Sequence, residues 1–257
     1  MKYGICHLSV IPLRKAPSDK AEIGSQLFFG DTIEILSSSE NNKWVEVKNT
    51  YDLYTGWIDA HQFISIDQDY FELINQSIHP IAGELVGVLK GEKRMLPILF
   101  GTSLPFYQNG TISIAKETFV FEGQVIEPFT QSDFQVIQKY AFFYLNSPYL
   151  WGGKSHFGID CSGFVQQVYR ISGLKIPRDA FQQAEVGTLI NFQELKPGDL
   201  AFFHQEGKVT HVGIILKNNQ IIHASGMVRV DNFDENGIYN VDRKVYSHKL
   251  HSIRRIF

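Results

Sequence analysis

Gly158-Ile159-Asp160-Cys161-Ser162-Gly163-Phe164 sets a cysteine where an extended segment gives way to a helical pattern. Downstream, Phe164, Val165, Val168 and Tyr169 recur at three- and four-residue intervals until Gly173. That spacing predicts a short amphipathic helix ended by a left-handed cap. Cys161 opens the helix and Asp160 is its N-cap, accepting from the free amides of the first turn. Those amides and the helix dipole favour negative charge on sulfur, while the Asp160 carboxylate opposes it. A paired imidazolium is therefore needed to bring a free-thiol pKa of ~8.5 into the ~3.5–7.5 range of activated cysteines.

His211 is the natural partner. It starts the β-branched run His211-Val212-Gly213-Ile214-Ile215-Leu216, and Ile221-Ile222-His223-Ala224 returns after the turn signal Lys217-Asn218-Asn219-Gln220, which reads as a hairpin. A turn centred on Lys217 sets His211 and His223 directly opposite each other, whereas a symmetric two- or four-residue turn shifts the facing pair and requires a bulge. An odd turn or a bulge is expected. Either way His223 can hold one ring nitrogen of His211 so that the other faces sulfur. A Cys/His/His set is also a conceivable zinc site, but a catalytic zinc takes three ligands plus water and no Cys-x-x-Cys or His-Glu-x-x-His spacing occurs. A nucleophile, a base and an orienter is the better reading, with no metal or cofactor.

These segments resemble the NlpC-type cell-wall cysteine peptidases, whose papain-like core packs a nucleophile-bearing helix on an antiparallel sheet. The likeness runs from Tyr149-Leu150-Trp151-Gly152-Gly153 through Asp160-Cys161-Ser162-Gly163 and Pro197-Gly198-Asp199-Leu200 to the two histidine segments. It implies Cys161 as nucleophile, His211 as general base and then acid, and His223 as third member. Tyr149 matches a tyrosine beside the oxyanion site, and Asp160 and Ser162 flank the nucleophile as substrate-binding positions.

Composition fits such an enzyme. Of 257 residues, 44% are hydrophobic and 20% charged, ordinary for a globular protein, and the formal net charge is −3. With no block of like charges there is no electrostatic footprint for nucleic acid or an anionic membrane. Cys6 and Cys161 are the two cysteines; bridging them would consume the nucleophile, so the thiol calls for a reducing compartment. Met1-Lys2-Tyr3-Gly4-Ile5-Cys6 runs into His7, Arg14 and Lys15 without the apolar stretch of a secretory signal, so a cytoplasmic location is expected. Cys6 reads as a buried strand residue.

Residues 1 to about 128 read as short strands between turns. Ile33 and Ile35, then Val45 and Val47, alternate with polar residues, and Gly56-Trp57-Ile58 follows a polar turn; the stretch resembles a bacterial SH3-like barrel. Leu96-Pro97-Ile98-Leu99, the Asn109-Gly110 turn, Ile112, Ile114, Phe119 and Phe121 look like a more divergent copy, with Asp67-Gln68-Asp69-Tyr70 as the boundary. Ser132-Asp133-Phe134-Gln135 is a capping-box pattern ahead of Phe134, Ile137, Ala141 and Leu145 on one helical face. The strand Leu200-Ala201-Phe202-Phe203 should pair with the histidine hairpin. The expected fold is α+β: SH3-like barrels at 1–68 and 69–128, then a papain-like domain at 129–257.

This order of domains is similar to the γ-D-glutamyl-L-diamino-acid endopeptidases of the dipeptidyl-peptidase VI type. The resemblance implies a murein-derived peptide with a free N-terminal L-Ala as substrate, cleaved to L-Ala-γ-D-Glu. Such an enzyme must hold an α-ammonium at a fixed distance from sulfur, and a carboxylate in a partly desolvated pocket does so. Asp179, after Pro177-Arg178, matches the family's amine-binding aspartate, its alternative being a simple N-cap before Ala180-Phe181-Gln182. Glu22 and Tyr54 match first-barrel positions that line the same pocket. Competing functions are a murein endopeptidase acting on polymeric wall and an idle binder of wall fragments.

Overall fold

Alternating apolar and polar residues build the first half of the chain. In the computed structural model, which describes residues 2–127 and 133–257, the chain divides into two units, 1–128 and 129–257. In the first, β1 (Tyr3–Cys6), β2 (Val10–Arg14), β3 (Ile23–Phe28), β4 (Thr32–Ser38), β5 (Trp44–Asn49), β6 (Thr55–Asp59) and β7 (Phe63–Ile66) form one sheet ordered β3-β2-β6-β5-β4-β1-β7. The alternations at Ile33, Val45 and Ile58 are β4, β5 and β6, and these residues bury with Cys6, Ile11 and Leu27 in one core.

The stretch expected as a boundary begins a helix, α1 (Gln68–Gln76), because Asp67 caps it by accepting from the Tyr70 amide at 2.8 Å. After it come β8 (Ile81–Ala82), β9 (Val86–Gly91), β10 (Met95–Leu99), β11 (Thr111–Ile114), β12 (Glu117–Glu122) and β13 (Val125–Ile126). Four of them make a sheet ordered β10-β9-β12-β11, and β13 pairs with β8. Pro97 is tolerated because β10 lies at the edge. Successive strand residues point to opposite faces, and β1 uses both: Cys6 enters the first core, while Ile5 joins Leu89, Ile98, Ile112 and Phe119 in a second. The two cores of the first unit thus share a strand.

The second unit starts with α2 (Phe134–Phe143), capped by Asp133, whose side chain accepts from the Val136 amide at 2.9 Å. Ser132 of the expected capping box lies outside the described residues. Ile137 and Ala141 are buried as expected, but Leu145 falls beyond the helix and is exposed, while Tyr140 takes a buried place. Then follow β14 (Lys154–Ser155), β15 (Gly158–Ile159), α3 (Cys161–Ile171), α4 (Ala180–Gln183), β16 (Thr188–Ile190), β17 (Leu200–Gln205), β18 (Lys208–Ile215), β19 (Gln220–Ser225), β20 (Met227–Asp234), β21 (Gly237–Asn240) and β22 (Val245–Arg255).

The large sheet runs β16-β22-β17-β18-β19-β20-β21, and β22 also pairs with β21. The expected antiparallel sheet is therefore a closed ring of six strands with β16 attached. The eleven residues of β22 close it, pairing with β21 through Val245–Lys249 and with β17 through Lys249–Arg254. Ala201, Phe203, Ile215, Ile221, Phe233 and Ile253 fill the ring. The alternate residues Phe202, Val212, Ile214 and Ile222 are fully buried as well, on the side where α3 packs against β18 and β19.

α3 ends as its sequence predicts. Gly173 takes φ +81°, and the Leu174 and Gly173 amides donate to the Tyr169 and Arg170 carbonyls at 2.8 and 3.1 Å. That pair of bonds is a Schellman cap.

Candidate active site

Cys161 is the first residue of α3, 6% exposed. Asp160 caps the helix: Oδ1 accepts from the Gly163 amide at 2.7 Å and Oδ2 from the Gly152 amide at 2.8 Å. Arg178 then grips the carboxylate with both terminal nitrogens, at 3.0 and 2.7 Å, and donates to Ser162 Oγ at 2.9 Å. All three residues are buried. A bidentate guanidinium supplies the cation that offsets Asp160 beside the sulfur, and sequence reasoning missed it, reading Arg178 as a neighbour of Asp179. With these bonds Asp160 and Ser162 hold the start of α3 together.

Burial pushes the Cys161 thiol up to about 12, with the Asp160 charge adding to it. The Val212 and Ser162 backbone amides bonded to the sulfur and the Arg178 charge act in the opposite sense. The bond from Val212 puts the sulfur against β18, one residue from His211. Burial also carries His211 well below the ordinary imidazole value, helped by His223 and His248. Both departures favour a neutral thiol–imidazole pair over the resting ion pair expected from sequence. The cause is desolvation of both groups.

The hairpin turn has an odd number of residues, as expected, but it is centred one residue later. The Leu216 amide donates to the Gln220 carbonyl, leaving Lys217-Asn218-Asn219 as the loop, and Gly213 rather than His211 faces His223. The two histidines lie on one diagonal of the same strand face. His211 Nε2 and His223 Nδ1 are 2.8 Å apart with the rings at 88°. The other nitrogen of His223, Nε2, is 3.1 Å from Asp231 Oδ2.

Asp231 is 1% exposed and takes donors on both oxygens: Arg229 Nε at 2.7 Å, the second Arg229 nitrogen at 2.8 Å and the Val241 amide at 3.1 Å. Burial alone would raise its pKa, but the bonds from His223, Arg229 and Val241 prevail and hold it at about 2. Asp231 was not picked out from sequence. Its signal lay in the turn at Gly226, which sets Arg229 opposite His223 and Asp231 one diagonal away.

His248, also missed, stacks on His211 with centroids 4.1 Å apart and planes at 24°. Ligating nitrogens of His211, His223 and His248 lie within 4.8 Å of one another. His211 Nε2 and His223 Nδ1 bond each other, and the His248 ring stacks on His211. Tyr149 is half-buried beside α3, its amide donating to the Gly226 carbonyl at 2.9 Å. Burial, Cys161 and Asp160 raise its phenol above the usual range, so it stays a neutral donor. Tyr149, His211 and His248 open on a cleft of about 1150 Å³.

Asp179 is the N-cap of α4, its amide donating to the Gln182 side chain at 3.2 Å. The residue is half-buried. Glu22 and Tyr54 belong to the first unit, where Lys15 joins them. The Lys15 amide donates to the Glu22 carbonyl at 2.9 Å, and Lys15 Nζ donates to the Tyr54 hydroxyl.

Comparison with known proteins gives the chain its relatives. Residues 146–255 match the NlpC/P60 family, and residues 13–63 match the bacterial dipeptidyl-peptidase SH3 domain. A γ-D-glutamyl-L-lysine dipeptidyl-peptidase of Bacillus subtilis (strain 168) is 30% identical over 252 residues, covering 91% of this chain and 81% of that protein. Its namesake in Bacillus cereus (strain ATCC 10987) is 27% identical over 230 residues, 79% of this chain and 67% of that protein. A solved NlpC/P60 family protein from Bacillus cereus ATCC 10987 shares the fold, with a TM-score of 0.81 over 98% of this chain and 99% of that one at 19% identity. With a helix-capped cysteine set against a histidine-bearing strand, and with a relative 30% identical and aligned over 91% of it, the chain belongs to the NlpC/P60 family and is a cysteine peptidase.

Proposed function

We propose that the protein hydrolyses the bond between γ-D-glutamate and the diamino acid in murein peptides with a free N-terminal L-Ala, releasing L-Ala-γ-D-Glu. The observation that carries the reading is the 252-residue alignment with a relative named for γ-D-glutamyl-L-lysine cleavage, joined to the Cys161, His211 and His223 geometry. Cys161 is the nucleophile. Its proton passes to His211 at Nδ1, the nitrogen not engaged by His223, as sulfur attacks the γ-carbonyl carbon. The Cys161 amide and the neutral Tyr149 hydroxyl receive the oxyanion. His211 then protonates the departing amine, and water hydrolyses the thioester.

In this reading Asp179 binds the peptide's ammonium group, and Glu22 and Tyr54 are substrate-binding residues of the first unit. A β domain at 69–128 as a second, divergent SH3-like copy and a cytoplasmic place in murein peptide recycling belong to the same reading.

The test is turnover of L-Ala-γ-D-Glu-diamino-acid tripeptides, free and N-acetylated, with Cys161→Ala as control. Cleavage of the free peptide alone is expected. Undiminished cleavage of the acetylated peptide removes the amine requirement. Release of fragments from insoluble sacculi in place of tripeptide turnover points to the endopeptidase alternative.

A further inference from the structure

The chain of hydrogen bonds that ends on His211 begins on a group outside the Cys/His/His set. Asp231 is fully buried, and three of its donors, two from Arg229 and one from the Val241 amide, leave Oδ2 aimed at His223 Nε2 across 3.1 Å. A carboxylate only accepts, so His223 must carry its proton on Nε2. In a neutral imidazole the other nitrogen is then an acceptor. His223 Nδ1 thus receives from His211 Nε2 across 2.8 Å, and His211 in turn is left with an unprotonated Nδ1. One buried charge determines where the protons sit on two rings.

We propose that Asp231 is a positioning residue of the peptidase, fixing the tautomers of His223 and His211 so that His211 presents Nδ1 to the Cys161 thiol. The inference rests on the catalytic reading of Cys161 and His211 given above.

The neutral state of His223 has a physical basis. Its ring is fully buried, and burial depresses its basicity more than Asp231 restores it, while the Arg229 charge adds to the depression. His248, stacked on His211, is likewise held neutral by burial, with a pKa of about 4. A protonated His223 would donate from both nitrogens, forcing Nδ1–H onto His211 and removing the base. During acylation the proton leaves Cys161 Sγ for His211 Nδ1, and it departs from Nδ1 to the leaving amine. No proton moves along the relay. Asp231 stabilises the transient His211 cation through the intervening neutral ring.

An asparagine at 231 keeps the shape but can present an N–H donor to His223 Nε2, which would invert both tautomers. In a serine-hydrolase triad the corresponding exchange lowers kcat by roughly 10⁴.

The experiment has two arms. In the first, ¹⁵N spectra of the histidine rings of the intact wild-type protein at pH 7 read the tautomers without any substrate. Nε2–H on both His223 and His211 is expected; Nδ1–H on either ring overturns the proposal. In the second, Asp231→Asn is compared with the wild type on the free tripeptide. A fall in kcat of about 10²–10⁴ with KM kept, and the His211 proton moved to Nδ1, is expected. A kcat within threefold of the wild type overturns it. Arg229→Gln, which leaves the Asp231–His223 bond in place, is expected to lower stability while keeping the wild-type tautomers; inverted tautomers in it would also count against Asp231. A wild type that spares the tripeptide yet shows the expected tautomers would refute the substrate reading and leave the relay standing.

Discussion

Gly213 lies directly across the hairpin from His223, and this empty position lets the His223 ring lean along the diagonal to His211. A Cβ added at Gly213 would come within 2.9 Å of His223 Cβ and 2.8 Å of the Ile221 side chain. Neither neighbour is the free end of a flexible surface chain. Gly213→Ala should therefore leave a folded protein, destabilised by about 1–3 kcal/mol, with kcat reduced on the order of 10²-fold by displacement of the imidazole. Steady-state kinetics beside a urea melt check it, and an alanine variant with full kcat would show that the diagonal tolerates the shift.

Arg178 and Asp160 form a buried ion pair that ties the start of α3 to the segment before α4. Removing one member strands the other charge away from water, at a cost of about 3–5 kcal/mol. Arg178→Met should lose roughly that much stability, and Arg178→Lys should recover only part of it because an ammonium cannot bond both carboxylate oxygens and Ser162 in one plane. Denaturant midpoints for the two variants decide this; equal midpoints for lysine and arginine would refute the bidentate argument.

Acid should weaken the second unit in two steps. Burial holds His156 and His248 neutral down to about 4, while the unfolded chain protonates its imidazoles near 6.5. The unfolded state then binds more protons, so stability falls as pH drops from about 6.5 to 4. Asp231, held at about 2, contributes stability that is present above its unfolded value near 3.9 and is lost as pH falls toward 2, about 2 kcal/mol in all. Melts at pH 7, 5 and 3 should decline in that order, and His248→Asn should flatten the first step. A pH-independent midpoint above 4 would contradict the histidine contribution.

The helix of Cys161 and the histidine hairpin were legible in the sequence because both rest on local signals: a cap, a three-four spacing, a run of β-branched residues, a polar turn. Closure of the ring was not. Its closing strand β22 carries Ser247, His248, Lys249, His251 and Ser252 with little apolar alternation, since much of it faces solvent. The Asp160–Arg178 pair escaped because a buried ion pair eighteen residues apart has no period to betray it. The hairpin register was missed by one position, because turn residues with polar side chains leave the centre of a loop open until backbone angles choose it. Here Asn218 and Asn219 both adopt positive φ, which fixes Lys217–Asn219 as the loop.

The two cysteines offer the last test. Both are buried, and burial raises both thiols, Cys6 well above its ordinary value. Their surroundings differ in what can stabilise a thiolate. Cys6 sits in an aliphatic core with Asp31 nearby, a charge that raises its pKa further. Cys161 has two backbone amides on its sulfur, the Arg178 charge and a neutral imidazole on the adjoining strand to take the proton. Iodoacetamide at pH 7 should label Cys161 at least tenfold faster than Cys6, since reactivity follows the accessible thiolate. His211→Ala should slow Cys161 toward the Cys6 rate while leaving Cys6 unchanged. Peptide mapping of the labelled protein reads both sites at once, and equal slow labelling in the wild type would mean that the sulfur is an inert core thiol.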